Sequence, residues 1–344
     1  MDKSYLKTIV RYIVTLLFVI AVIGLYHIVN IRLFSFDITR ITKNALFEIR
    51  NVPPIDRSVM LFNVGKLSPG ELEIKIDSLL IAEPKQIGIN PCHFDQTPSD
   101  LIKKYKNNER VIFANCDNLK SGSLSQVISG FNTVTHFMTD RSDYFELNLT
   151  NFKGRGNEKE RINYGPKLKY PMDKGELTDS YFWFNPYLLK DKTVLLGYMG
   201  DYLTDSIYYY QNCRVTPLNE YYGERNILPD MYDIEISANI MRTINDNDFI
   251  EEINQVVRVL IILVFSLLNV TALTFIKTKW TIVNLIIATV LFILLNIAGS
   301  LLLVYMFDKG YYLEMDELPL ILMITTAFTV ILNISEKKGQ STTQ

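Results

Sequence analysis

The apolar segments of this chain are unevenly placed: one lies near the front and three near the back, with a long polar stretch between them. The runs are 12–31, 259–276, 280–307 and 318–334. A bilayer core of ~30 Å takes a helix of about 20 apolar residues, so each run is a spanning candidate. This layout predicts a single folded domain, residues 32–255, held at a lipid bilayer by four helices, one before it and three after. Residues 1–11 and 335–344 are left as short tails. The last run carries Pro319 in its first turn, where a missing N–H costs little, and Thr325, Thr326 and Thr329 inside it.

Basic residues beside helix ends set the orientation. Lys3, Lys7 and Arg11 precede the first run, Lys277 and Lys279 lie between the second and third, and Lys337 and Lys338 follow the fourth. Threading four helices in order puts all three places on one side. The opposite short loop carries Asp308, Glu314, Asp316 and Glu317 against Lys309. We therefore expect both termini in the cytoplasm and the large domain outside, as in an integral protein of a bacterial inner (plasma) membrane. Arg32 and Arg258 fall on the outer side, where long basic side chains snorkel from helix ends. The first run is long for a signal-peptide core and offers no small-x-small cleavage site, so it reads as a retained anchor.

A net charge of −2 and a pI near 6.0 give no sign of a nucleic-acid partner. The three cysteines, Cys92, Cys116 and Cys213, all lie in the polar stretch. An odd number allows one intramolecular disulfide at most. Cys92 with Cys116 is the pair of choice, because both follow strands expected to be neighbours; three buried free thiols is the competing reading. Asn148-Leu149-Thr150 is a glycosylation triplet without meaning in a bacterium.

The front of the polar stretch alternates strand and helix. Residues 58–64 form a β-branched apolar strand. Ser68-Pro69-Gly70-Glu71 is a capping box with Pro at the first helical position. Leu72, Ile76, Leu79 and Leu80 follow at helical spacing. Residues 86–90 read as a strand, 97–105 as a helix and 110–114 as a third strand. Short links between these elements predict an α/β fold with a mainly parallel, in part mixed, sheet. Phe145, Leu147 and Leu149 alternate with polar residues and read as an exposed or antiparallel strand. Residues 192–197 read as another buried strand. Residues 233–245 read as an amphipathic helix with Ile234, Ala238, Met241 and Ile244 on its apolar face.

In this order the segments resemble the type-2 CHASE domain, an extracellular sensory domain fused to cyclases and histidine kinases. The residues that carry the resemblance are 59–64 with the capped helix, Pro84 to Asn90, Leu189 to Gly197 with Asp205, and Asp233 to Ile240. It covers nearly the whole chain, including one helix before the domain and three after. Departures are Asn63 and Asn90, where the family's strands often end in acids, and Ser237 in place of a histidine. The family also commonly continues into an output module. Only a short tail follows the fourth run here, so we expect a separate protein to carry the output.

Ligands of open α/β sheets bind beyond the carboxyl ends of the strands. Asn63, Asn90, Asn115, Gly197, Asp201 and Asp205 all follow strand ends and form the candidate ligand site. Gly197-Tyr198-Met199-Gly200-Asp201 lacks the glycine spacing or the lysine of a nucleotide loop. Cys92-His93, Asp95, Cys116 and His136 include zinc-type donors, but no paired ligand spacing is present, and no metal or cofactor is assigned. Tyr208 to Tyr210, Tyr221, Tyr222, Tyr181 and Trp183 make an aromatic band suited to core packing or an interface. Asn269, Asn284 and Asn296 are expected to bond across membrane helices, within the bundle or a homodimer. No serine, cysteine or metalloprotease signature appears, so no enzymatic activity is expected. The sequence thus predicts a sensory or relay protein passing ligand or partner binding to a separate membrane or cytoplasmic signalling protein. The alternative is a scaffold subunit of an envelope complex.

Overall fold

Val59, Met60, Leu61 and Phe62 are all buried, so both faces of the strand they form are covered. This is the pattern of an inner strand of a parallel sheet. The computed structural model describes residues 13–14, 17–18, 20–21, 24, 46–47, 56–94, 96–117, 120–129, 132–164, 172–177, 186–203, 212–219, 227–275, 281–315 and 317–341. The chain divides into two units, residues 43–251 and residues 1–42 with 252–344.

In the first unit the order is β1 (Asp56–Asn63), α1 (Pro69–Ile81), β2 (Gln86–Ile89), α2 (Ser99–Tyr105), β3 (Val111–Phe113), β4 (Gln126–Ser129), β5 (Thr133–Met138), α3 (Phe145–Thr150), β6 (Lys159–Arg161), β7 (Met172–Glu176), β8 (Thr193–Gly197), β9 (Cys213–Arg214), β10 (Met231–Tyr232) and α4 (Asp233–Asn245). The main sheet runs β3-β2-β8-β1-β7, and all four pairings are parallel. The antiparallel strands lie in separate sheets, β4-β5-β6 and β9-β10.

Side-chain alternation along the strands feeds two cores. Met60 and Phe62 of β1, Ile87 and Ile89 of β2, and Val194 and Leu196 of β8 pack with Leu72, Ile76 and Leu79 of α1 and Leu101 of α2. Val59, Leu61 and Leu195 face the other way, toward Phe145 and Leu149 of α3 and Ile234, Ala238 and Met241 of α4. The start of α1 is fixed as its sequence predicts: the Ser68 N–H donates to Glu71 Oε2 at 2.9 Å, and the Glu71 N–H donates to Ser68 Oγ at 3.4 Å. The Glu71 carboxyl is lowered below its ordinary range, chiefly by that backbone bond from Ser68.

Two expectations are corrected. Residues 145–150 are a helix, not a strand. Tyr144, Phe145, Glu146 and Leu147 are buried in succession, so three alternating apolar residues did not mark one exposed face. The helix at 233–245 has the expected bounds, but it is buried almost all round, including Glu235, Ser237, Asn239 and Arg242. Its polar side meets other protein rather than water.

The second unit contains α5 (Gln255–Phe275), α6 (Thr281–Asp308) and α7 (Leu318–Ser341). Four spans were expected. Among the described residues two helices are long and apolar enough to cross a membrane, Gln255–Phe275 and Ile282–Asp308. The fourth run is a shorter apolar stretch, Leu318–Ile334, below the about 20 residues a bilayer needs. The first run lies mostly outside the described residues, and the aromatic band lies wholly outside them. Asn269 bonds across helices as expected, donating from Nδ2 to Thr325 Oγ1 at 3.1 Å and Thr326 Oγ1 at 2.8 Å. Asn296 does not; it donates to the Phe292 carbonyl of its own helix at 2.8 Å. Asn333 adds a tie that the sequence reading missed, to the Leu273 carbonyl at 3.3 Å. Arg258 meets protein carboxylates, with Nη2 2.9 Å from Glu317 and Nη1 3.4 Å from Glu314.

Candidate functional site

The carboxyl edge of the main sheet collects the turns after β1, β2, β3 and β8. The Val64 N–H donates to the Gly197 carbonyl at 3.0 Å, the Asn90 N–H to Leu196 at 2.8 Å, and the Ala114 N–H to Ile89 at 2.8 Å. These bonds place Asn63, Asn90, Asn115 and Gly197 along one edge. Asp205 lies outside the described residues.

Asn63, at the end of β1, is 1% exposed, and its amide is fully used. Nδ2 donates to Glu176 Oε2 and to the Gly200 carbonyl, both at 3.0 Å. Oδ1 accepts from the Met199 N–H at 2.8 Å and the Gly65 N–H at 3.1 Å. An amide has two donor hydrogens and two acceptor lone pairs, so nothing is left for a ligand. The other oxygen of Glu176 accepts from the Leu203 N–H. Asn63 is therefore the knot that ties β1 to β7 and to the loop after β8.

Gly197 is also structural. A Cβ there would lie 2.6 Å from Cβ of Ile234, so the absent side chain lets α4 seat against the end of β8. Asn115 spends its side chain on its own loop, with Oδ1 accepting from the Asp117 N–H at 3.1 Å and Nδ2 donating to the Ser121 carbonyl at 3.3 Å.

The turn after β2 differs. Asn90 is 6% exposed, and its Oδ1 accepts from the Cys92 N–H at 3.0 Å. The next turn residues are Cys92, His93 and Phe94, and Cys92 is disulfide-bonded to Cys116. That bond clips the end of β2 to the end of β3. It also takes both sulfurs out of any zinc-type donor set. Cys213 is a buried free thiol that burial pushes up to about 12.

His93 has its ring 3.9 Å from that of Phe94 and 5.5 Å from Tyr198, nearly parallel to the latter. Both ring nitrogens are buried. Burial holds the imidazole neutral and lowers its pKa to about 4, against a weaker upward pull from the Asn90 backbone. Tyr198 carries the site outward: its hydroxyl donates to Asp201 Oδ1 at 3.1 Å. Lys66 pairs with Asp201 Oδ2 at 2.9 Å. The Lys66 ammonium is the first cause of the lowered Asp201 carboxyl. Of the predicted residues, Asn90 and Asp201 thus sit with His93, Tyr198 and Lys66 around one group. The sequence reading considered His93 as a zinc donor and missed its aromatic setting; only the adjacent Phe94 signals it locally.

A second polar cluster lies on the other face, under α4. Glu146 is fully buried and accepts from the Ser125 N–H at 2.8 Å and the Ser237 hydroxyl at 2.6 Å. Burial raises its carboxyl above the usual range. Arg214 forks onto Asp233 at 2.8 and 3.0 Å. Burial pushes Asp233 up to about 6 despite that guanidinium. Every carboxylate oxygen named here is bonded within the protein, so this cluster locks α4 in place. No family model, no curated protein and no solved structure matches the chain.

Proposed function

We propose that the chain is a membrane-anchored sensory or relay protein of the type-2 CHASE kind, with its α/β domain outside the cytoplasm. In this reading the turns at the carboxyl edge of the sheet receive a ligand or partner, and the helices pass the event to a separate protein. The observation that carries it is the chain's two-part make-up. A parallel α/β unit with a disulfide shares a chain with helices long and apolar enough to cross a membrane. Disulfides persist in oxidising compartments, which supports the same side as the loop charges do. The receptive edge is supported by the turn after β2, where Asn90 and His93 stand beside Tyr198 of the turn after β8. No catalytic role is part of the proposal.

The second reading is a non-enzymatic scaffold subunit of an envelope complex. It is favoured by Asn63 and Gly197, two strand-end residues committed to internal contacts. Cross-linking pull-down of the full chain from native membranes tests the relay. A defined signalling partner, recovered in stoichiometric amount, is expected. Recovery of a large structural assembly favours the scaffold, and recovery of the chain alone contradicts both.

A further inference from the structure

The disulfide at the carboxyl edge has an open end and a covered end. Cys116 is exposed, whereas Cys92 is half-buried. On the Cys92 side the next residue is His93, whose ring lies 3.9 Å from Phe94 and 5.5 Å from Tyr198. Thiol–disulfide exchange needs a thiolate to reach one of the two sulfurs, so exposed bonds exchange and buried ones persist. Each turn is also closed by hydrogen bonds of its own. Asn90 Oδ1 accepts from the Cys92 N–H at 3.0 Å, and the Phe94 N–H donates to the Pro91 carbonyl at 3.1 Å. Asn115 Oδ1 accepts from the Asp117 N–H at 3.1 Å, and the Asn115 N–H donates to the Gly122 carbonyl at 2.8 Å. Beneath the turns, β2 and β3 are paired from Ile87 with Val111 to Ile89 with Phe113. Opening the bond therefore uncouples two turns that hold themselves, while the strands under them stay joined. Cys213 is the contrast, a thiol that is buried and kept protonated by that burial.

We propose that the Cys92–Cys116 bond is a thiol–disulfide exchange site, entered at Cys116 by a small thiol from solvent, and that its opening loosens the β2 turn. The exchange rests on the bond's own surroundings; its meaning, redox control of the edge that receives a ligand or partner, rests on the relay reading. The external thiolate attacks Sγ of Cys116. A new S–S bond forms there, the bond to Cys92 breaks, and Cys92 Sγ leaves with the electron pair and takes a proton from water. A second thiolate attacks the outer sulfur of the mixed disulfide and releases Cys116 as a thiolate, which is protonated in turn. Two external thiols are thereby oxidised to one disulfide, and the protein bond is reduced to two thiols.

The test incubates the full chain in nanodiscs with glutathione at neutral pH without denaturant, followed by acid quenching and peptide mass spectrometry. Glutathione should be found on Cys116 about tenfold more often than on Cys92, and Cys213 should stay unmodified. Single substitutions read the same asymmetry. The thiol left at Cys116 by Cys92→Ser should react with iodoacetamide about tenfold faster than the thiol left at Cys92 by Cys116→Ser. If the serine variants do not fold, the wild-type labelling decides. In the reduced chain, hydrogen exchange should rise at residues 90–94 and 114–117 and stay unchanged at 63–65, and oxidised glutathione should restore the bond. A bond that resists glutathione until denaturant is added overturns the proposal. So does glutathione on Cys92 as often as on Cys116, or protection lost equally at residues 63–65. Exchange at Cys116 in a chain that the cross-linking pull-down recovers alone supports this inference and contradicts the relay.

Discussion

Asn63 and Asn90 stand at the carboxyl ends of β1 and β2 in one parallel sheet, both buried, and they do different things with the same amide. Asn63 makes four hydrogen bonds and closes the corner between β1, β7 and the loop after β8. Asn90 makes one side-chain bond, accepting from the Cys92 N–H. A strand-end position therefore does not fix what a side chain does; the groups that reach it from other elements do. Burial alone would have ranked Asn63, at 1% exposed, above Asn90, at 6%, as the tighter constraint, and for stability it is.

That contrast is open to attack at several strengths. Asn63→Ala should have the largest effect. It strands the N–H groups of Met199 and Gly65, the Gly200 carbonyl and one Glu176 oxygen. A buried group left unpaired costs about 1–3 kcal/mol, so a loss of about 4 kcal/mol or more is expected in chemical denaturation of the full chain. Next comes the Cys92–Cys116 disulfide, which spans 24 residues. Replacing both cysteines by serine should cost about 3 kcal/mol and loosen the β2 turn far more than the β1 corner. Hydrogen exchange confined to residues 90–94 and 114–117 would bear this out, and protection lost equally at residues 63–65 would not.

Gly197→Ala follows, at about 2 kcal/mol, because the added methyl meets Cβ of Ile234 and one helix or strand must shift. Thermal denaturation measures it. The last test is of the pH dependence. His93 is lowered in the folded state to about 4 from 6.5. Its neutral form thus supports the fold fully above 6.5, and that support is lost as pH falls through about 4. His93→Phe should flatten the stability curve between pH 6.5 and 4; a curve parallel to wild type would show that His93 is not the buried neutral base described.

Much of the first half of the fold was legible because its signals are local. The capping box at Ser68 and Glu71, the apolar spacing of α1 and the β-branched run of β1 each act over a few residues. The strand at 193–197 was legible as a strand, but its seat between β1 and β2 was not, since strand order is settled by pairing across long separations. Residues 145–150 misled because three alternating apolar residues fit a strand or a short buried helix equally well. The helix at 233–245 was legible in extent only; Glu235, Asn239 and Arg242 look like a solvated face until the groups that bury them are placed. The candidate site divides the same way. Strand ends could be predicted, which put Asn63, Asn90 and Gly197 on the right edge. What separates them, the partners contributed by Glu176, Met199, Tyr198 and Ile234, comes from distant parts of the chain.

The most direct measurement exchanges the two asparagines for aspartate, one at a time, and compares unfolding of the full chain in detergent at neutral pH. Asn63→Asp places a carboxylate against Glu176 and the Gly200 carbonyl, whereas Asn90→Asp keeps its one bond, to the Cys92 N–H. The account predicts a loss of several kcal/mol, about 3 or more, for Asn63→Asp and less than about 1 kcal/mol for Asn90→Asp. Equal losses, or the larger loss at Asn90, would contradict it.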